Sequence, residues 1–152
     1  MAMSQLTGEF SHTMDAKGRV KMPAAWNEDL GSKFMVTRGT GNMLFIFSMP
    51  QWEGFSQKLM ALPLMDPKAQ ALRRIFGAGA SPCELDAQGR FVIPKQLRTY
   101  AKLKKDVVIA GAFTWGEIWD AEAWNEYEQQ FADGAGDSFM ELMQSATEAF
   151  SI

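Results

Sequence analysis

Four short segments with regularly placed apolar residues precede Trp52, and turn residues separate them. GEFSHTM and RVKM alternate polar and apolar positions, while KFMVTRG and NMLFIFS are richer in apolar residues, and all four patterns are typical of β-strands. Between the second and third segments stands PAAWNEDLG, whose leading proline and final glycine are typical of the ends of a short helix. The pattern predicts the element order ββαββ.

The same order returns in the second half of the chain. DAKGRVKMP, residues 15–23, recurs as DAQGRFVIP, residues 86–94, and the flanking segments repeat at nearly the same spacing. Each copy has aspartate in the first position and glycine in the fourth, which is the favoured pattern of a type I turn. The sequence therefore predicts two equivalent turns, Asp15–Gly18 and Asp86–Gly89.

The two repeats, residues 9–51 and 80–123, are predicted to fold together. A repeat of about 45 residues is close to the size below which a chain cannot build its own core. Two copies can interlock, each completing the other's sheet and covering its edges. The expected fold is α+β and mainly β, a single pseudo-symmetric barrel made from two tandem ββαββ repeats.

Helices are predicted for the two remaining segments. In the connecting segment, residues 54–78, one helix ends near Pro63 and a second begins with Asp66 as its N-cap. In the acidic C-terminal segment, residues 124–152, the glycine-containing stretch DGAGD separates two helical patterns.

The distribution of charge changes the meaning of the small net charge of −3. All 15 lysine and arginine residues lie in residues 1–124 with twelve of the 18 acidic residues, so this part of the chain has a net charge of +3. The acidic C-terminal segment outweighs this positive charge in the total for the chain. Nucleic acid therefore stays a possible partner, provided that the basic residues share a face.

Other bulk features exclude several classes of protein. We expect no membrane association, because no apolar run approaches the roughly 18–20 residues that span a bilayer and the N-terminus lacks a signal-peptide pattern. Cys83 is the single cysteine, which favours the cytoplasm and a buried structural role. His12 is the single histidine, so a four-ligand zinc site cannot form. We expect no cofactor, no small-molecule substrate and no enzymatic activity.

The segments GEFSHTMDAKGRVKMP, FMVTRG, GASPCELDAQGRFVIP and EIWDAEAWNEY resemble the MraZ family of bacterial transcriptional regulators. The resemblance covers residues 6–130 and includes both D-x-x-x-R motifs. It implies two SpoVT-AbrB-type half domains in a double-psi or swapped-hairpin-like barrel, ring-like homo-oligomers, and binding to short direct repeats in the promoter of the division and cell-wall gene cluster. One departure is the first short helix, where Asn27, Glu28 and Asp29 replace the arginine usual in the family.

A candidate DNA-binding face follows from the first motif. Arg19 and Lys21 are two positions apart in a strand and therefore point to the same side. Lys17 extends this basic face into the turn, and Arg38, at the end of another predicted strand, could join it. A strand pair with such a face can enter a major groove or contact phosphates.

The equivalent positions of the second repeat are Gln88, Arg90 and Val92, which carry two fewer positive charges. We infer that the first repeat contacts DNA and that the second mainly completes the barrel. A simpler alternative is that each motif aspartate and arginine pair with each other across the turn. For Asp15 and Asp86 a role in forming the turn is favoured, because a carboxylate repels phosphate but accepts turn amides.

The leading hypothesis is a sequence-specific regulator that binds double-stranded DNA as a homo-oligomer in the cytoplasm, associated with the nucleoid. The alternative from another class is an AbrB-like antitoxin or a scaffold whose acidic tail binds a protein. An enzyme is the third choice, because the chain shows no paired catalytic residues.

Overall fold

The computed structural model describes residues 5–146 of the chain. The chain divides into two compact units, Met1–Asp120 and Ala121–Ile152. The first unit contains the first repeat, the connecting segment and residues 80–120 of the second repeat, and the second unit contains the C-terminal helices. Residues 147–152, which include the end of the last predicted helix, lie outside the described residues.

Each repeat contributes four strands and one short helix, in the predicted order. The first repeat contains β1 (Glu9–Thr13), β2 (Arg19–Lys21), a 3₁₀ turn (Ala24–Trp26) that leads into α1 (Asn27–Leu30), β3 (Lys33–Arg38) and β4 (Leu44–Ser48). The second contains β5 (Ser81–Glu84), β6 (Arg90–Val92), α4 (Lys95–Tyr100), β7 (Asp106–Gly111) and β8 (Gly116–Asp120).

The strands pair across the two repeats, and every pairing is antiparallel. Strand β1 pairs with β7 of the second repeat, and β5 pairs with β3 of the first. Strands β4 and β8 join the two halves, which gives a six-stranded sheet in the order β1-β7-β8-β4-β3-β5. Strands β2 and β6 pair with each other in a separate two-stranded ribbon.

The α+β, mostly antiparallel class is confirmed, but the closed barrel is not. In residues 5–146 the strand pairings leave β1 and β5 as edges of the larger sheet. The ribbon strands are three residues long and pair with each other, and in the described residues neither forms a ladder with an edge strand. The prediction that each repeat completes the other's sheet agrees with these pairings.

One core lies between the ribbon and the inner face of the large sheet. Val20 and Phe91, which pair at the centre of the ribbon, are each 1% exposed. The Phe91 ring contacts the Phe34 ring edge-on, with 5.1 Å between centroids. Burying side chains of this size stabilises the fold by about 1.5–3 kcal/mol each. The core therefore anchors the ribbon and leaves its other face to solvent.

A second apolar cluster lies on the large sheet around Phe45, Phe47 and Phe76. The connecting segment packs there through α2 (Met49–Met60) and through the π-type turn Arg74–Ala78 that follows α3 (Pro67–Arg73). The predicted N-cap is confirmed, because Asp66 accepts a hydrogen bond from the Lys68 N–H at 2.9 Å.

The second unit contains α5 (Ala121–Gln129) and α6 (Asp137–Ser145). The predicted break between them is confirmed, because Asp133 accepts hydrogen bonds from the N–H groups of Ala135 and Gly136 and forms a turn. In the part of the chain that the structure describes, no helix is long and apolar enough to span a membrane.

Helix α4 ends in a Schellman motif that turns the chain back on itself. The Lys102 N–H donates to Thr99 O at 3.1 Å, and the Leu103 N–H donates to Arg98 O at 3.0 Å. Lys102 adopts φ 53°, a left-handed conformation that glycine adopts more easily. The corresponding residue of the first repeat is Gly31, with φ 80°.

We therefore predict that Lys102→Gly stabilises the protein. Relief of the left-handed strain should raise the free energy of unfolding by about 0.5–1 kcal/mol in urea denaturation. The control is Thr99→Gly within the same helix, which should lower it by about 0.3 kcal/mol, because glycine is a slightly poorer helix former than threonine. A loss of stability in both variants would contradict this interpretation of the helix end.

Candidate nucleic-acid interface

Asp15 organises the first turn and also holds Arg19. Its Oδ1 accepts hydrogen bonds from the N–H groups of Lys17 at 3.0 Å and Arg19 at 2.9 Å, while its Oδ2 accepts one from Arg19 Nε at 2.6 Å. The Arg19 amide is the main cause that lowers the pKa of the Asp15 carboxyl. The aspartate therefore stays ionised and fixes the start of the arginine side chain.

The second turn repeats this arrangement. Asp86 accepts hydrogen bonds from the N–H groups of Gln88 and Arg90, both at 2.9 Å, and from Arg90 Nε at 3.0 Å. The Arg90 amide is again the main cause that lowers the pKa of the aspartate. Each motif is thus a self-supporting turn that presents an arginine, and the exposed ion pair itself adds little stability.

The two arginines differ at their terminal nitrogens. Arg90 Nη2 donates to Gln88 Oε1 at 2.9 Å. Lys17 stands at the position equivalent to Gln88 and cannot accept a hydrogen bond. Within residues 5–146, the side-chain hydrogen bonds of Arg19 involve Nε alone, so both of its Nη groups are available to a ligand.

The ribbon brings the basic positions of both repeats onto one surface. Arg19 lies opposite Val92, and Lys21 lies opposite Arg90. Because side chains alternate along a strand, these four residues share the outward face, which we call the ribbon face. Like charges directly opposite each other on paired strands are destabilising. The juxtaposition of Lys21 and Arg90 therefore favours an anionic ligand.

Arg38 is not part of the ribbon face. It lies in the six-stranded sheet, opposite Leu44, and its guanidinium sits over the Tyr100 ring at 5.8 Å from the centroid. A side chain at Gly79 would lie 2.8 Å from Arg38 Cγ, so the arginine stem packs closely against this glycine. Arg38 therefore belongs to a different sheet from Arg19 and Lys21, and its contact with DNA stays a prediction.

His12 and Cys83 contribute no charge to this surface near neutral pH. Burial, followed by the proximity of Lys21, lowers the pKa of His12. Burial raises the pKa of Cys83 to about 11, in agreement with its predicted structural role. No cluster of potential metal ligands occurs among residues 5–146.

Arg98, on α4, was not among the residues that the sequence analysis singled out. A Cβ atom at Gly18 would lie 2.9 Å from both Cζ and Nε of Arg98, so the first turn rests on this arginine. A Cβ atom at Gly89, in the second turn, would meet nothing within 4 Å. The spacing of the two motifs pairs Arg98 with Asn27, and this difference was a signal in the sequence.

We predict that Gly18→Ala destabilises the protein more than Gly89→Ala does. Both glycines have positive φ, 82° and 76°, so either alanine should cost about 1–2 kcal/mol. Only Gly18→Ala also clashes with Arg98 and with the carbonyl of Ile93, which should add about 1 kcal/mol or more. Urea denaturation of both variants measures the difference, and equal losses would contradict the close packing of Arg98 on the first turn.

The sequence matches one known family and many of its curated members. The family model described as "MraZ protein, putative antitoxin-like" matches residues 5–75 and again residues 76–148. A "Transcriptional regulator MraZ" of Carboxydothermus hydrogenoformans is 48% identical over 137 residues, which cover 90% of this chain and 93% of that protein. Proteins of the same name from Caldanaerobacter subterraneus and Thermoanaerobacter sp. strain X514 are 48% and 49% identical, over 82% and 80% of this chain and 87% and 85% of theirs.

A comparison with solved structures gave a weaker similarity. The chain titled "The solution structure of PHS018 from pyrococcus horikoshii" is 15% identical and has a TM-score of 0.32, covering 78% of this chain and 89% of its own length. This score is too low to compare the two folds. The similarity to the curated relatives and the match of the family model to both halves of the chain are sufficient by themselves, and the chain belongs to the MraZ family.

Proposed function

We propose that this chain is a transcriptional regulator that binds double-stranded DNA through the ribbon face. The observation that carries the proposal is the pairing of β2 with β6, which places Arg19, Lys21 and Arg90 together on one surface. The inner face of the same ribbon is buried in the core, so this surface is held in place. The names of the relatives, which denote a regulator and not an enzyme class, support the proposal.

The shape and chemistry of the ribbon face suit DNA. A two-stranded β-ribbon fits into the major groove of B-form DNA. Arg19, held by Asp15 through Nε alone, can direct its two Nη groups to the O6 and N7 atoms of a guanine or to a phosphate. Lys17 and Lys21 lie beside it and can neutralise phosphates.

The proposal also includes the DNA sequence that the protein binds and the oligomer that it forms. Resemblance to the family supports short direct repeats in the promoter of the division and cell-wall gene cluster as the target. It also supports a ring-like homo-oligomer associated with the nucleoid in the cytoplasm. Several protomers could then engage repeats about one helical turn, roughly 10 base pairs, apart, and avidity would strengthen each weak contact.

A second candidate function is that of an antitoxin-like protein that binds another protein. The family description contains the word "antitoxin-like", and residues 125–152 carry six acidic residues and no lysine or arginine. A gel-shift comparison of promoter DNA with a scrambled duplex of the same composition separates the two candidates. Selective retention of the promoter duplex supports the regulator, and equal or absent binding supports the alternative.

We predict that Arg19→Ala weakens binding to the promoter duplex more than Arg90→Ala does. Loss of one bidentate arginine contact should cost about 1–3 kcal/mol, that is, roughly five- to 150-fold in Kd. The loss for Arg90→Ala should be smaller, because Gln88 already occupies one of its Nη groups. Fluorescence anisotropy measures both, with circular dichroism as the control for folding.

The variant Gln88→Lys tests the reason for this difference. It removes the acceptor that holds Arg90 Nη2 and makes the second turn resemble the first. Binding to the promoter duplex should become tighter at low salt. Equal losses for Arg19→Ala and Arg90→Ala, together with no gain from Gln88→Lys, would contradict the unequal roles of the two turns.

A further inference from the structure

We propose that a groove beside the first turn binds a phosphate of the DNA backbone, with Arg98 and Lys105 as the contacting residues. The proposal rests on DNA binding by the ribbon face and adds a second contact surface to it. Such a contact would set the position of the ribbon on the duplex without reading the base sequence.

The groove is formed where the first turn meets the end of α4. It is shallow and open, and its lining includes three cations, Arg98, Lys104 and Lys105, together with Asp15 and Ala16 of the first turn. The groove therefore adjoins the residue that holds Arg19. A ligand in the groove would lie next to the ribbon face.

Backbone hydrogen bonds explain why these cations meet. The Schellman motif, with the Leu103 N–H bonded to Arg98 O, turns the chain so that Lys104 and Lys105 follow close to Arg98. The Met14 N–H then donates to Lys105 O at 2.7 Å, which fixes Lys105 beside the start of the first turn. The groove is thus built by main-chain contacts between the two repeats.

Arg98 carries a hydrogen-bond donor without a partner where it lines the groove. Its Nε is buried and makes no hydrogen bond within the described part of the chain. A buried donor without a partner costs about 1–3 kcal/mol, and such groups are uncommon in folded proteins. The guanidinium is held against Gly18 and also lines the groove, so a phosphate oxygen there would give it a counter-charge.

The neighbouring charges leave a net positive groove. Both oxygens of Asp15 are engaged by Lys17 and Arg19, and the Lys104 ammonium lies 3.9 Å from the buried Asp120 carboxylate. Lys105 is exposed, and across residues 5–146 its side chain takes part in no ion pair or hydrogen bond. Arg98 and Lys105 therefore provide the charge that an anion would meet.

The second turn lacks the matching cations. Asn27 stands where Arg98 would be expected. Ser32 stands where Lys105 would be, because the Ser32 carbonyl accepts the Leu85 N–H as the Lys105 carbonyl accepts the Met14 N–H. Correspondingly, Gly89 has no side chain packed against it, whereas Gly18 does. The cations of the groove therefore lie beside the first turn, in which Arg19 keeps both Nη groups available.

The dependence of DNA binding on salt tests the proposal. Arg98→Gln and Lys105→Gln should each weaken binding to the promoter duplex and to a scrambled duplex by the same factor, because a phosphate contact is independent of sequence. The double variant removes the whole phosphate contact and should reduce the slope of log K against log salt by about 0.9, and each single variant should reduce it by part of that amount. Arg98→Lys should restore most of the slope. The control is Lys68→Gln, an equal change of charge on α3, which should leave the slope unchanged.

Three outcomes decide between the interpretations. Failure of the unmodified protein to prefer the promoter duplex would overturn the proposed function itself. Preference for the promoter duplex with unchanged slopes in both variants would overturn the proposed phosphate contact alone. A loss of affinity confined to the promoter duplex would also overturn it, because Arg98 would then act only by supporting the first turn. Should Arg98→Gln fail to fold, Lys105→Gln decides by itself, because Lys105 is exposed.

Discussion

The exchange of strands between the repeats governs the rest of the structure. Because β1 pairs with β7 and β5 pairs with β3, neither repeat has a complete sheet without the other. The same exchange brings β2 and β6 side by side and buries Val20 and Phe91 beneath them. The ribbon face therefore exists only in the joined fold, and the buried side chains of the core determine its position.

The motif turns connect this fold to its chemistry. In each turn one carboxylate satisfies backbone amides and orients an arginine, so the same residue stabilises the local structure and prepares the surface. Small differences then separate the two copies. The first turn has Lys17 where the second has Gln88, which leaves the Nη groups of Arg19 available. Arg98, the counterpart of Asn27, packs against Gly18 of the first turn.

Local features of this structure could be predicted from the sequence. The duplicated motif and its flanking segments indicated the element order, the aspartate-glycine pattern located both turns, and Asp66 identified the start of α3. These predictions depend on interactions between residues close in the chain. The placement of Lys21 opposite Arg90 could not be predicted, because it depends on the register between strands of different repeats. The barrel depends on the same kind of long-range pairing and is not confirmed.

The contacts between side chains of different repeats also could not be predicted from the sequence. Arg38 resembled Arg19 as a cation at the end of a strand, but it packs on Tyr100 in the other repeat. Arg98 differs from its counterpart Asn27 in the sequence, but only the folded structure shows that it packs against Gly18. In both cases the decisive neighbour comes from the other repeat.

The central claim, that a ribbon made by both repeats contacts DNA, can be tested most directly by site-specific photocrosslinking. Val92 is 50% exposed on the ribbon face and belongs to the second repeat, while Phe113, 61% exposed in the loop between β7 and β8, is a matched position away from the ribbon. A benzophenone side chain at position 92 should crosslink to the promoter duplex, and one at position 113 should not. Crosslinking at 113 without crosslinking at 92 would contradict the claim.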